Sequence, residues 1–175
     1  MRSLNSKMPA KRLALLGISV SIALILSYIE FLLPPIFSAV PGIKLGLANV
    51  VIIYLLFTLS FREAAAVSVV RVLLSSLLFG TALTLLYSLA GAALSLLVMA
   101  VLKRTDLFSK VGVSIAGAVM HNVGQVITAV LVLRTAEIGY YLVVLLFTGI
   151  LSGIFVGILG ASLIKYVKID WKEKK

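Results

Sequence analysis

The stretch of the chain with the richest side-chain chemistry is GAVMHNVGQ, residues 117–125, which holds His121, Asn122 and Gln125. His121 is the only histidine among the 175 residues. An imidazole and two carboxamides donate and accept hydrogen bonds, and an imidazole can also carry a proton or bind a metal ion. Their neighbours are mostly Ala, Val and Gly, so these three polar groups require a structural or a functional reason.

Five further polar residues border or interrupt apolar segments, namely Glu30, Lys44, Asn49, Arg71 and Ser75. Glu30 and Lys44 suit either an ion pair that closes one end of the molecule or a substrate gate or proton site. Arg71 and Ser75 are four residues apart and therefore share one face of a helix. The arginine either extends to the membrane surface, as long side chains do, or faces an anionic or carbonyl-rich ligand.

The sequence carries no recognisable catalytic pattern. It has no cysteine, and its two aspartates, Asp106 and Asp170, are far apart. No Ser/His/Asp set, P-loop or nucleotide fingerprint is present. We therefore predict a protein that is not an enzyme and that has neither a metal site nor a bound cofactor.

The composition places the chain in a membrane, since 62% of the residues are hydrophobic and 13% are charged. Soluble domains are about 45 to 50% apolar. A spanning helix needs about 20 mostly apolar residues. Six segments approach this length, at residues 13–33, 45–61, 64–79, 82–102, 111–133 and 140–164. The predicted fold is an all-α integral membrane protein with a six-helix bundle at 13–164, a cytoplasmic N-terminus at 1–12 and a basic cytoplasmic tail at 165–175.

The basic residues predict the orientation of this bundle. Of sixteen Lys and Arg, thirteen fall in connections on one side, two (Lys44 and Arg134) fall on the other, and Arg71 lies within a helix. The positive-inside rule then places both termini in the cytoplasm of a multi-pass cell-membrane protein. Because the basic clusters lie between apolar runs, the net charge of +10 does not indicate nucleic-acid binding.

Helical spacing brings several polar residues of the fifth segment onto one face. At about 1.5 Å per residue, His121 is expected midway through the membrane and Arg71 about 10 Å from its inner boundary, with no acidic residue at that depth. Glu30 and Asn49 are expected about 6 Å below the outer boundary by the same rise. The polar face is either an interhelical hydrogen-bond cluster or the wall of a cavity open to the outside, with Asn49 and residues 34–44 near its mouth. The residues of this face are Ser114, Gly117, His121, Gln125 and Thr128.

Small residues predict where helices approach closely, because lipid tails give helices no hydrophobic incentive to associate. Gly149, Gly153 and Gly157 recur every four residues in the sixth segment, and Gly17 and Ser21 share a face of the first. These residues are expected to pack within the bundle or against a partner subunit.

Four blocks of sequence carry a resemblance to a known family. They are PGIKLGLANVVIIYLL (41–56), VVRVLLSSLLFGT (69–81), YSLAGAALSLLVM (87–99) and GAVMHNVGQ (117–125). They resemble the membrane family often labelled heptaprenyl diphosphate synthase component I, within a broader group of six-helix vitamin-uptake proteins. That group includes the substrate-binding S components of energy-coupling-factor transporters, which work with transmembrane and ATPase subunits. Prenyl diphosphate synthases use paired aspartate-rich motifs, which two distant aspartates do not provide.

The resemblance implies a membrane subunit that takes up a small vitamin-like, isoprenoid or quinone-related compound from the external side. The expected substrate-binding residues are His121, Asn122, Gln125, Arg71, Asn49, Glu30, Lys44 and Ser75, and the expected partners are the bilayer, the substrate, and transmembrane and ATPase subunits. Two alternatives are open. One is a membrane scaffold for extracytosolic flavin or quinone electron transfer, and the other is a membrane accessory of a polyprenyl diphosphate synthase.

Overall fold

The computed structural model describes residues 10–33, 46–134 and 136–167, and within them the protein is entirely helical. Lys44 and residues 34–45 lie outside this part of the chain, as do 1–9 and 168–175. Six α-helices follow one another, and a 3₁₀ helix, Ala136–Tyr140, precedes the last. The α-helices are α1 (Ala10–Leu32), α2 (Asn49–Thr58), α3 (Phe61–Phe79), α4 (Ala82–Thr105), α5 (Lys110–Leu133) and α6 (Tyr141–Tyr166). The predicted all-α class is confirmed for these residues.

Local sequence sets the ends of α4 and α5. Thr81 precedes α4 and forms a capping box with Thr84, which satisfies backbone N–H groups of the first turn. The hydroxyl of Ser109 accepts from the N–H of Gly112 at the start of α5. Both helices end at a residue in the left-handed conformation, Asp106 (φ 52°) and Arg134 (φ 54°). The chain therefore reverses sharply between α4 and α5, and these two helices pack along each other.

Four helices, α1, α4, α5 and α6, are long and apolar enough to cross a membrane. α3 has 19 residues and is not among them. The second expected span, residues 45–61, differs most from its prediction because its helix begins only at Asn49 and has 10 residues. Ten residues rise about 15 Å, half of the roughly 30 Å hydrocarbon core. α2 by itself is therefore too short to cross a bilayer.

Side-chain contacts stabilise one end of the bundle. We call this the basic end, and it is the end at which α1, α3 and α5 begin and α2, α4 and α6 finish. Arg12 forms an ion pair with Glu63. Lys103 donates from Nζ to the carbonyl of Leu56 (2.5 Å) near the C-terminus of α2, where a cation is favourable. The charged residues described at this end are Lys11, Arg12, Arg62, Glu63, Lys103, Arg104, Asp106, Lys110 and Lys165.

α2 forms the centre of the core. Residues 50–56 are buried without a break, so the helix is apolar on every side, as is typical of an element surrounded by others. It contacts α1, α3 and α6. At the basic end the hydroxyl of Tyr54 donates to the carbonyl of Val167 (3.2 Å). α2 thus occupies the half of the bundle next to the basic end, and its first residue, Asn49, lies deep within the molecule.

The glycines of α6 pack inside the bundle, against α5. A Cβ added at Gly153 would lie 2.6 Å from Cα of Ile115, and one at Gly157 would lie 2.9 Å from Cα of Val111. Gly17 of α1 differs, since a Cβ there would meet no described atom within 4 Å. Of the two small-residue stripes, the one on α6 therefore sets the distance to α5, and the one on α1 lies on the outer surface.

Candidate functional site

A cluster of polar side chains lies at the N-terminus of α2, where α1, α2 and α3 meet. Arg71 of α3 donates from Nη2 to Oδ1 of Asn49, at 3.4 Å. By helical rise, both residues lie about 14 to 15 Å from the basic end, measured along α2 and α3. Arg71 and Asn49 are therefore at the same level, near the middle of the bundle. The sequence predicted that Asn49 lies near the outer boundary of the membrane. Asn49 lies at mid-bundle instead, because α2 begins only at this residue and has just 10 residues.

Glu30 of α1 completes this cluster, which we call the Glu30/Asn49/Arg71 cluster. Its Oε1 accepts from the backbone N–H of Leu47 at 2.9 Å, just before α2 begins. The carboxylate also interacts electrostatically with the guanidinium of Arg71. Glu30 therefore lies beside the backbone just before α2, two residues from the hydrogen-bond partner of Arg71. A carboxylate and a guanidinium thus both contact the short segment 47–49 within an apolar bundle.

Three buried donors have no hydrogen-bond partner among the described residues. They are Nε of Arg12 at the basic end, Nε of Arg71 at mid-bundle and the hydroxyl of Tyr87, which lies about 27 Å from the basic end by helical rise. Tyr87 lies on α4, one helical turn from Gly91 and on the same face. Buried polar groups are usually satisfied, so an unpartnered donor indicates a place where water or a ligand can bind. Sequence reasoning missed Tyr87, although a tyrosine preceding a small-residue stretch in a membrane helix is a usable signal.

α5 presents its three polar residues to two different neighbours. His121 and Gln125 lie against Gly91 of α4, where an added Cβ would be 2.8 Å from the carbonyl oxygen of His121 and 3.0 Å from Cγ of Gln125. Asn122 instead faces α6 and donates from Nδ2 to the carbonyl of Leu145 at 2.6 Å. The structure therefore brings His121 and Gln125 together and separates Asn122 from them.

The hydroxyl of Ser75 is hydrogen-bonded within its own helix. Its hydroxyl donates to the carbonyl of Val72 in the same helix, at 3.1 Å. Ser75 lies one turn beyond Arg71, toward the end of α3 farther from the basic end. It shares the face of Arg71 as the spacing predicted, with its hydrogen bond already used within α3.

A small cavity of about 20 Å³ lies beside Asn49, among α2, α4, α5 and α6. A cavity needs about 10 to 15 Å³ to hold one water molecule, whereas pockets for small molecules measure about 300 to 1,000 Å³. This cavity therefore has room for a single water. The cavity is lined by Ser114 and Gly117, the members of the polar face that are closest to the basic end. It is not lined by His121, Asn122 or Gln125. Its polar and small lining residues are Gly46, Asn49, Ser95, Ser114, Gly117 and Ser152.

The described part of the chain contains no group of three or more His, Asp or Glu that could hold a metal ion. Of the two aspartates, Asp106 lies in the turn between α4 and α5, and Asp170 lies outside the described residues. The structure thus brings no carboxylate pair to the Glu30/Asn49/Arg71 cluster, where Glu30 is the one acidic member.

Together, the long apolar helices and the partly buried polar cluster define a helical membrane protein with a polar centre. Residues 19–163 match the family described as heptaprenyl diphosphate synthase component I. The match runs from α1 to α6 and includes every residue of the Glu30/Asn49/Arg71 cluster. The chain belongs to this family. No curated protein and no solved structure matches it.

Proposed function

We propose that the protein is a membrane subunit that binds a small molecule and presents it to other proteins, as the S components of energy-coupling-factor transporters do. The observation that carries the proposal is the Arg71 guanidinium, which is hydrogen-bonded to Asn49 at mid-bundle and interacts electrostatically with Glu30, while its Nε has no hydrogen-bond partner among the described residues. Ionisable residues inside membrane helices are costly and generally mark substrate or ion sites.

The arrangement of the cluster is consistent with recognition of a ligand. If Arg71 served only to hold helices together, each of its buried donors would be expected to find an acceptor on a neighbouring helix. Nε does not, and a ligand oxygen would satisfy it. His121, Gln125 and Tyr87 lie on the neighbouring α4 and α5, and we assign them secondary contacts. Asn122 and Ser75 already donate to backbone carbonyls, which supports structural roles for them.

The orientation follows from the positive-inside rule, with the basic end and both termini in the cytoplasm. The ligand would then arrive from the external side or from within the bilayer. Since the sequence contains no nucleotide-binding fingerprint, energy for uptake would come from an ATPase on another chain, together with a transmembrane partner. Lys44, outside the described residues, remains a proposed contact at the external mouth.

The proposal is tested by mass spectrometry of small molecules that accompany the gently purified protein. We expect a compound at near-stoichiometric amount with the unchanged protein and its loss, by about tenfold or more, from Arg71→Gln, because one charged hydrogen bond contributes about 1.5 to 3 kcal/mol. The matched control is Arg62→Gln, which removes an exposed arginine at the basic end of the same helix. No enriched compound in the unchanged protein, or equal amounts in both variants, would contradict the proposal.

A second function is favoured by the family description itself, which names one component of a prenyl diphosphate synthase. In that case the protein would be a membrane accessory to a separate catalytic chain. Affinity purification from the native membrane distinguishes the two functions. A soluble prenyl synthase that co-purifies, without any ATPase, supports the accessory function, whereas an ATPase that co-purifies supports the transport subunit.

A further inference from the structure

Buried hydroxyl groups from two helices line the small cavity beside Asn49. Ser95 of α4 and Ser114 of α5 are 5% and 4% exposed, and both border this space. Neither hydroxyl forms a hydrogen bond to another described residue, whereas Ser152 of α6 donates to the carbonyl of Gly149 at 3.2 Å. Ser95 and Ser114 differ from the fully enclosed donors described above, because they border space that a water molecule can occupy.

The carboxamide of Asn49 connects this cavity to Arg71. A guanidinium has only donors, so the oxygen of the carboxamide must face it, as the contact from Nη2 to Oδ1 at 3.4 Å shows. The amide nitrogen is on the other side of the same planar group. A Cβ added at Gly46, another lining residue, would lie 3.2 Å from this nitrogen. Since Nδ2 forms no hydrogen bond to a described residue, its N–H groups are available beside the cavity.

The size and lining of the cavity select water over other occupants. Cavities that stay dry have apolar walls, whereas hydroxyl groups and a carboxamide line this one. None of the lining residues is charged, so an ion of either sign would be buried without a counter-charge in the wall. A volume of about 20 Å³ has no room for a larger molecule.

We propose that one water molecule occupies this cavity, bonds to Asn49, Ser95 and Ser114, and thereby holds the oxygen of Asn49 toward Arg71. The water accepts from Nδ2 of Asn49 and from one serine hydroxyl. It donates to the other serine and to the oxygen of Ser152, which can still accept. Buried waters typically make about three hydrogen bonds, so these groups are sufficient to hold it.

The proposed water joins α2, α4, α5 and α6 through polar contacts. Ser95 and Ser114 are positioning residues in this arrangement, since they act on Asn49 through the water and do not contact Arg71. The inference goes beyond the proposed function and is independent of it, because the water site lies between helices whether or not a ligand binds Arg71.

The test is water-edited solid-state NMR on the full chain in phosphatidylcholine bilayers, with asparagine labelled with ¹⁵N. The chain has three asparagines. Asn122 is the internal control, since its side chain donates to the carbonyl of Leu145 and does not line the cavity. We expect magnetisation transfer from water to the side-chain NH₂ group of Asn49 and none to that of Asn122. No transfer to Asn49, or equal transfer to both, would overturn the inference.

A double variant, Ser95→Ala with Ser114→Ala, tests the positioning role. It removes two partners of the water and leaves a mostly apolar cavity, so we expect the transfer to Asn49 to be lost. The matched control is Ser27→Ala, which removes a buried hydroxyl that donates within its own helix to Ala23. This control should leave the transfer unchanged. Transfer that persists in the double variant would show that the two serines only pack and would overturn their role.

Met99 gives a second readout that needs no variant. It is 5% exposed and lines the cavity. X-ray radiolysis of a bound water produces hydroxyl radicals in place, and these oxidise a neighbouring thioether to the sulfoxide. We expect mass spectrometry to find Met99 oxidised faster than Met120, which does not line the cavity. Oxidation of Met99 that is absent, or no faster than that of Met120, would overturn the presence of the water.

Discussion

Arg71 is the residue whose environment differs most from what its position in the sequence suggested. Its own segment contains no carboxylate near its depth, yet Asn49 of α2 accepts a hydrogen bond from it and Glu30 of α1 interacts with it electrostatically. Opposite charges in a low-dielectric interior favour each other, so the removal of either charge is expected to destabilise the other. The cluster should therefore behave as one energetic unit.

A double-mutant cycle on Glu30→Gln and Arg71→Gln measures this coupling. Glutamine at position 30 removes the charge but keeps an oxygen that can accept from the N–H of Leu47. We expect each single variant to lower the free energy of unfolding and the double variant to be more stable than the sum of the two predicts, by about 1 to 3 kcal/mol.

The measurement is reversible unfolding in detergent micelles, followed by circular dichroism. Arg62→Gln serves as the control, since this exposed arginine should change the free energy by no more than about 1 kcal/mol. Strictly additive effects of the two cluster variants would show that the charges of Glu30 and Arg71 do not support each other.

At the scale of the helices, close backbone contacts join α4, α5 and α6 into one layer. Gly91 and Gly124 bring α4 and α5 together, since a Cβ at Gly124 would lie 2.9 Å from the carbonyl oxygen of Ala90. Gly149, Gly153 and Gly157 do the same between α5 and α6. In lipid such contacts depend on van der Waals packing, so small residues are required where backbones touch.

Gly91→Ala and Gly17→Ala form a matched pair that tests this packing. At Gly91 the new methyl group would lie 2.8 Å from a backbone oxygen, which cannot move aside as a side-chain end could. We expect a loss of about 1 to 3 kcal/mol in the free energy of unfolding. Gly17 has open space around it, so alanine should be neutral or should stabilise α1 by up to about 1 kcal/mol through helix propensity. Equal effects of the two changes in unfolding experiments would refute the packing argument.

At the scale of the whole molecule, the alternation of helix ends collects most of the described basic residues at the basic end. The positive-inside rule then predicts that this end faces the cytoplasm. Because α2 by itself is too short to span a bilayer, the orientation is best measured on α4, α5 and α6.

Single cysteines can report this orientation, since the natural chain has none. Leu107→Cys places a thiol at the turn between α4 and α5, where the side chain is 82% exposed. Gly139→Cys places one at the other end of the bundle, in the 3₁₀ helix, with open space around it. In intact cells a membrane-impermeant maleimide should label Gly139→Cys alone, and Leu107→Cys should react only after permeabilisation. The reverse pattern would invert the predicted topology.

Composition and periodicity by themselves determined the helical membrane class, the presence of six helices and the interfacial role of the α6 glycines. Each of these follows from local hydrophobicity or from fixed spacing along one helix, which needs no knowledge of neighbours. The resemblance to the component I family was also visible in the chain, and the family match over residues 19–163 confirms it.

Tertiary structure alone decided which polar groups meet. Helical periodicity already places Asn122 off the face that His121 and Gln125 share, but only packing shows that Asn122 meets α6 and that the other two meet α4. The late start of α2 brought Asn49 to the level of Arg71 and brought the N–H of Leu47 within hydrogen-bond distance of Glu30. Such meetings depend on where separate helices begin and on how closely they pack, and neither is encoded in the periodicity of a single segment.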